Sequence, residues 1–306
     1  MRALLVVNPK ATTTSARVRD VLAHALASEV KLDVVETTHR GHATDLAREA
    51  AVDGLDVVVA LGGDGTVNEV VNGLLHQGPQ DELPALAVVP AGSTNVFARS
   101  LGMPNSAVEA TSGLLDGLLH HRRRRIGLGR ADEHWFTFNA GLGIDAGAVR
   151  RVERARAKGR PLTQARYVRK AVAEFYLGPT HRRPVLHLSS PGLEPVELGL
   201  AFVCNTDPWT YLGDRAVRPT PRAGFDTGLD VFGLRRLATL PTLRHLAQIL
   251  HGHRPPHGRH LLALHDLAEL TLSAEHPLDL QADGDNLGQR STVVFRSVPH
   301  ALDVVV

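Results

Sequence analysis

Between Asp56 and Leu75 the chain reads DVVVALGGDGTVNEVVNGLL. An apolar run enters Gly62, Gly63, Asp64 and Gly65 and leaves through Val67, Val70, Val71, Leu74 and Leu75. Their i, i+3, i+4, i+7, i+8 recurrence is a helix face. A hairpin would need a second strand after the Asp-Gly pair, so a strand-to-helix turn is expected instead. Such a turn directs backbone N–H groups from a helix N-terminus, and glycines let a phosphate come close to them. Thr66 and Ser93 carry hydroxyls suited to donate to phosphate oxygens. Asp64 can hold a hard cation or take a proton. A second acidic turn, QADGDNLG, supplies Asp283 and Asp285.

Several phosphate and metal motifs can be excluded. A Walker loop needs a Gly-Lys pair, and the chain contains none. Gly141-Leu-Gly143-Ile-Asp-Ala146 fits a loose dinucleotide pattern, but an Arg-rich helical stretch follows where an acid-bearing strand is needed. Counted from Asp283, the fifth and twelfth positions of a calcium loop would be Leu287 and Val294, which offer no oxygen ligand. His-rich HGHRPPHGRH (251–260) matches no metal spacing and reads as a loop.

The surrounding elements explain how these residues are positioned. Strands are expected at 3–8, 31–37, 55–61 and 85–90, with helices at 15–27, 42–51, 66–77 and about 95–101. This alternation predicts a parallel sheet with helices on its faces and ligands at the strand carboxyl ends. The loops NPKAT, TTHRG, GGDGT and PAGST all fall at those ends. Farther on the pattern shifts to short strands: HWFTFNAGLG, PVLHLSS, VELGLAFVCN, GLDVFGLR, LAELTLSA, LDLQADG and STVVFRSV. These predict a mostly antiparallel β domain, interrupted by one helix in TLPTLRHLAQILHG. The domains expected are 1–125 (α/β) and 126–299 (β-rich, with a basic helical insertion at 149–178). The closing strand, about 300–306, is a candidate to return to the first.

Length and composition narrow the class further. A chain of 306 residues has room for two domains. A single cysteine, Cys204, allows no internal disulfide and fits a reducing cytosol. No apolar run reaches the ~18–20 residues of a membrane span, and MRALLVVNPK reads as a strand rather than a signal peptide. The formal charge of +2 conceals 14 Arg and 2 Lys against 5 acids between Arg122 and Arg183. Such a segment attracts anionic partners or forms a solvated face. No base-reading module accompanies it, so no nucleic-acid partner is expected.

GGDGTVNEVVNGL, followed by PAGSTNVFARSLG, closely resembles the diacylglycerol kinase catalytic-domain family of lipid kinases. Further motifs follow in family order: Asn8-Pro9, Thr37 before Gly41-His42-Ala43, Glu69-x-x-Asn72-Gly73, FNAGLGIDA, FDTGLD and ADGD. The resemblance implies an α/β nucleotide domain, a β-sandwich domain and an active site in a cleft between them. It also implies an ATP- and Mg²⁺-dependent kinase acting on diacylglycerol or a related lipid alcohol, in phospholipid metabolism. Residues implied at the nucleotide are Asn8, Pro9, Thr12, Thr37, Gly62, Gly63, Asp64, Gly65, Thr66, Val67, Asn68, Glu69 and Ser93. Asp285 stands where bacterial relatives carry a glutamate base. Asp64 and Asp226 are the implied metal carboxylates, and Thr227 replaces a second acid beside Asp226. A cytoplasmic enzyme meeting an anionic inner-membrane surface through its basic segment is implied, and a homodimer is compatible. NAD kinases share the GGDGT core, so a soluble hydroxyl acceptor is an alternative. A nucleotide-binding regulator with weakened catalysis is another, since two of the family's acids are altered.

Overall fold

The computed structural model describes residues 1–11, 15–143, 186–251 and 255–306. Thr12, the basic insertion expected at 149–178 and the end of FNAGLGIDA lie outside them. Two compact units result: Met1–Leu128 with Pro299–Val306, and Gly129–Val298.

The first unit runs β1 (Arg2–Val7), α1 (Ala16–Ala27), β2 (Lys31–Glu36), α2 (His42–Val52), β3 (Val57–Gly62), α3 (Asp64–Leu74), β4 (Ala85–Pro90), α4 (Val96–Ser100) and α5 (Ala107–Leu119). Its strands lie parallel in the order β2-β1-β3-β4. β3 and β4 are buried along their whole length, as expected of parallel strands covered on both faces. Successive side chains alternate between faces. Ala3, Leu5, Val7, Val57, Val59 and Leu61 form one core with Leu22 and Leu26 of α1 and Leu114 and Leu118 of α5. The alternate residues Leu4, Val6, Val58 and Ala60 are equally buried, and α2 and α3 contact β1 and β3.

β5 (Arg123–Ala131) leads into the second unit. There follow β6 (His134–Phe136), β7 (Asn139–Leu142), β8 (Leu186–Ser190), β9 (Leu193–Leu198), β10 (Leu200–Cys204), β11 (Thr210–Leu212), β12 (Arg215–Val217), β13 (Leu229–Leu234), α6 (Thr239–His251), β14 (Leu261–Leu267), β15 (Glu269–Ala282) and β16 (Asp285–Val305). Within this unit β14, β13, β10, β7, β15 and the first part of β16 pair antiparallel in that order. β8 and β9 extend from β15. Leu188, Val203, Val231, Leu272 and Phe295 meet in its core. The last part of β16 belongs to the first unit, where Val304 lies parallel to Leu86 of β4.

Three expected strand boundaries are corrected. LAELTLSA and LDLQADG form one strand, β15, because a register shift between Ser273 and Leu278 accommodates His276 and Pro277 without ending it. STVVFRSV and ALDVVV likewise merge in β16. VELGLAFVCN divides at Gly199, where an added Cβ would lie 2.8 Å from Leu237.

Candidate active site

The strand order 2-1-3-4 has a topological switch between β1 and β3, the place where open α/β sheets bind ligands. Asn8 follows β1, and Gly63 to Thr66 follow β3. They meet there: Asn8 Nδ2 donates to Thr66 Oγ1 at 3.1 Å. Asn8 also folds its own loop, since its Oδ1 accepts from Lys10 N–H and its carbonyl from Ala11 N–H. Thr66 accepts from Asn8 and keeps its hydroxyl proton to give. Thr37 extends β2 beside the same strand end, donating its N–H to the Val7 carbonyl at 2.8 Å.

α3 starts directly at Asp64, and its N-cap, Gly63, makes no side-chain capping bond. By contrast Ser15 and Ser106 cap α1 and α5. The positive end of α3 is therefore left to backbone N–H groups, as an anion site requires. The glycines let two loops touch. A Cβ on Gly92 would stand 2.6 Å from Gly63 Cα, and one on Gly62 would stand 2.5 Å from Thr66 Oγ1. Asn95 holds the second loop: its Oδ1 accepts from Gly92 N–H at 2.8 Å, and its Nδ2 donates to Gly92 O and to Asn105 Oδ1. Its φ of 48° is left-handed, a conformation Asn tolerates better than most residues. Ser93 is exposed on that loop.

Asp64 Oδ1 accepts from Phe97 N–H of α4 at 3.1 Å. One carboxylate oxygen thus ties the GGDGT loop to the PAGST loop, and two helix N-termini offset its charge. Val67 and Asn68 are buried, so Val67 offers the site only backbone. Glu69 faces α2, where its Oε2 accepts from Ala43 N–H and its carbonyl from the Thr44 hydroxyl. Gly73 permits that packing, because a Cβ there would stand 2.3 Å from Thr44 O. The Glu69-x-x-Asn72-Gly73 motif accordingly joins α2 to α3.

In the second unit Asp283 and Gly284, with φ of 49° and 84°, form the two-residue turn between β15 and β16. Positive φ at both positions marks the type I′ hairpin, for which Asp-Gly is suited. Asp285 follows the turn at once, opposite Ala282, and is half-buried. The neighbouring Asp283 is built in: Oδ2 accepts from Thr137 N–H (2.7 Å) and the Thr137 hydroxyl (2.8 Å), and Oδ1 from Phe138 N–H (3.0 Å) and Asn139 N–H (3.2 Å). Beneath it, Gln281 Nε2 donates to Asn139 Oδ1, Asn139 Nδ2 to Trp209 O, and Gly284 N–H to Gln281 Oε1. The carboxylate after the turn therefore sits on a fixed base.

The residues expected at the site fall into separate groups. Asn8, Gly62 to Thr66, Gly92 and Ser93 gather at the β1/β3 switch, while Asp285 and Asp226 belong to the second unit. Asp226 is exposed. Beside it Thr227 directs its hydroxyl to Gly224 O and Gly228 O, and Asp266 accepts from Gly228 N–H. Among the described residues no group of three or more His, Cys, Asp or Glu is placed to hold a metal. Mg²⁺ ordinarily takes only one or two carboxylates and fills its shell with phosphate and water oxygens, so Asp64 beside α3 fits an ion carried with a nucleotide. Among the described residues Asp226 is not part of any such metal-holding group.

Sequence reading missed two charged pairs. Asp207 bonds Arg218 at 2.6 Å, yet burial pushes its carboxyl up to about 6. Asp230, also raised by burial, faces His265 Nδ1 at 2.6 Å. Asp207 lies in no spaced motif, and Asp230 closes FDTGLD, where nothing nearby names His265 as its partner.

Residues 2–131 match the model of the diacylglycerol kinase catalytic domain. A diacylglycerol kinase of Bacillus subtilis (strain 168) is 44% identical over 108 residues, 35% of this chain and 33% of that one. The matched region spans less than half the length of the first curated relatives. The crystal structure of a diacylglycerol kinase from Bacillus anthracis superposes with a TM-score of 0.71 at 21% identity, covering 99% of this chain and 96% of that one. An NAD kinase from Archaeoglobus fulgidus in complex with ATP reaches 0.54 at 11% identity, covering 100% and 94%. Both likenesses concern the fold: a parallel α/β unit and a strand-rich antiparallel one.

Proposed function

We propose that the chain, whose residues 2–131 match the model of the diacylglycerol kinase catalytic domain, transfers the γ-phosphoryl group of ATP to the hydroxyl of diacylglycerol or a related lipid alcohol. The observation that carries this reading is the β1/β3 switch, where the Asn8–Thr66 bond and the Gly63–Gly92 approach surround the uncapped start of α3.

Phosphoryl transfer depends chiefly on positioning and on offsetting charge. In this reading the N–H groups at the start of α3 bind the nucleotide phosphates, and the Thr66 and Ser93 hydroxyls add donors. Bound Mg²⁺ would neutralise the charge that develops on the phosphate oxygens, with Asp64 as its protein carboxylate. Asp285 takes the proton of the acceptor hydroxyl as the new O–P bond forms and the bond to the ADP oxygen breaks. An aspartate reaches one methylene less than the family's glutamate, so the hairpin beneath Asp285 must set its position.

The basic segment from Arg122 to Arg183 fits a peripheral encounter with an anionic inner-membrane surface. Among the described residues no helix is long and apolar enough to cross a membrane. The test is incubation with γ-labelled ATP, Mg²⁺ and a panel of lipid alcohols, NAD and sugars. Label in a lipid product is expected. Label only in NAD or a sugar, or none in any acceptor, defeats the proposal. Asp285→Asn that retains both turnover and ATP binding would remove Asp285 from its role.

A further inference from the structure

α6 exposes leucines in addition to the apolar side it buries through Ile249 and Leu250. Leu240, Leu243 and Leu246 are 80%, 50% and 37% exposed, while the helix turns His245 and Ile249 inward at 4% and 7%. At 100° per residue Leu240, Leu243, Leu246 and the exposed Ala247 share one outward face. Of the other exposed large apolar residues, Val21, Val34 and Val52 lie on separate elements, and Val108 and Leu119 stand at opposite ends of α5. Pro241 falls in the first turn of α6, where a missing N–H does no harm. The inward side is anchored by His245 Nδ1 against Gln248 Oε1 at 3.0 Å and by Ile249 in an apolar cluster with Phe232 and Leu237.

The charge near this face is mostly of one sign, with the exposed Asp214 next to Arg215 as an exception. From Val231 to His265 the chain has no Asp or Glu. Arg235, Arg236, Arg244 and Arg259 are all exposed, and Arg215 donates to Leu250 O at the end of the helix. Outward leucines flanked by arginines characterise a helix that lies in the plane of a bilayer interface. Resting on the lipid-acceptor reading above, we infer that α6 docks the protein onto anionic lipid bilayers, with Leu240 and Leu243 entering the acyl boundary and the arginines meeting the headgroups.

Vesicles of phosphatidylcholine, with and without phosphatidylglycerol, are the probe, and binding is measured without ATP. Leu240→Glu with Leu243→Glu should lower partition onto the anionic vesicles about tenfold or more while leaving thermal stability unchanged. Leu240→Trp should keep binding and be quenched by brominated acyl chains. Unchanged partition of the double variant, or no quenching of Leu240→Trp, overturns the assignment. So does a change in self-association on sedimentation with vesicle binding intact, which would give the face to a second copy of the chain. Turnover of a water-soluble short-chain diacylglycerol separates the two readings. If it is retained while the double variant still binds vesicles, α6 docking fails alone. If it is absent in the parent protein while partition still depends on the leucines, the kinase reading fails alone.

Discussion

Asp283→Asn separates the two acids of the ADGD turn, one built into the fold and one proposed to do the chemistry. Asparagine keeps the volume of aspartate and tolerates the positive φ of 49° at this position. The substitution therefore isolates the four hydrogen bonds. The amide oxygen can keep one pair of donors, Phe138 and Asn139 N–H, but its NH₂ then faces Thr137 N–H and the Thr137 hydroxyl. The hydroxyl can rotate and accept, whereas Thr137 N–H is left without an acceptor at a fully buried residue. One orphaned donor costs about 1–3 kcal/mol, and the surviving bonds lose their charge assistance, so about 2–4 kcal/mol is expected. That is a large part of a typical stability of ~5–15 kcal/mol. Urea unfolding followed by tryptophan emission reads the right unit, because Trp135 and Trp209 both belong to it. A destabilisation below about 1 kcal/mol would refute the reasoning, since these four bonds could not then be what holds Asp283.

Three further outcomes are expected. Asp285→Asn should shift the same unfolding curve by less than about 1 kcal/mol while lowering turnover at least about a hundredfold, measured with labelled ATP. Gly92→Ala forces a methyl to 2.6 Å from Gly63 Cα and 2.9 Å from Asn95 Oδ1, so it should strain the loops by about 1–3 kcal/mol. Calorimetric ATP titration should record weakened binding. Asp207, whose folded value of about 6 exceeds its ordinary 3.8, gives stability that is fully present below pH 3.8 and is lost as pH rises through 6. Asp207→Asn should flatten that part of the Tm–pH profile between about pH 4 and 7, and an unaltered slope would discount the burial of this carboxyl.

The β3–GGDGT–α3 segment was legible because its signals are local. An apolar run, glycines and a 3.6-residue recurrence suffice, and Val67, Val70, Val71, Leu74 and Leu75 are all buried as that recurrence requires. The fold class followed from repetition of the same signals. Long-range roles were not legible. Nothing near Glu69 indicates that its carboxylate binds Ala43, and nothing near Asp283 names Thr137, Phe138 and Asn139 as donors 144 to 146 residues away. Pro277 suggested a strand end because proline lacks an N–H, but a bulge absorbed it. For α6, periodicity shows two faces and cannot say which one meets the core. The inward face turned out to hold His245.

The return of β16 to the first unit also orders events during synthesis. Pro299–Val306 completes a unit whose other strands emerge from the ribosome far earlier. Until the carbonyl of Val306 reaches Arg122 Nε, at 3.2 Å in the finished protein, β4 is the bare margin of a growing sheet. An open strand margin recruits other chains. The second unit, although later in sequence, can close its own core before the first is sealed. The nascent protein therefore spends most of its translation time with its first unit unfinished, and that interval is when a chaperone would be of most use.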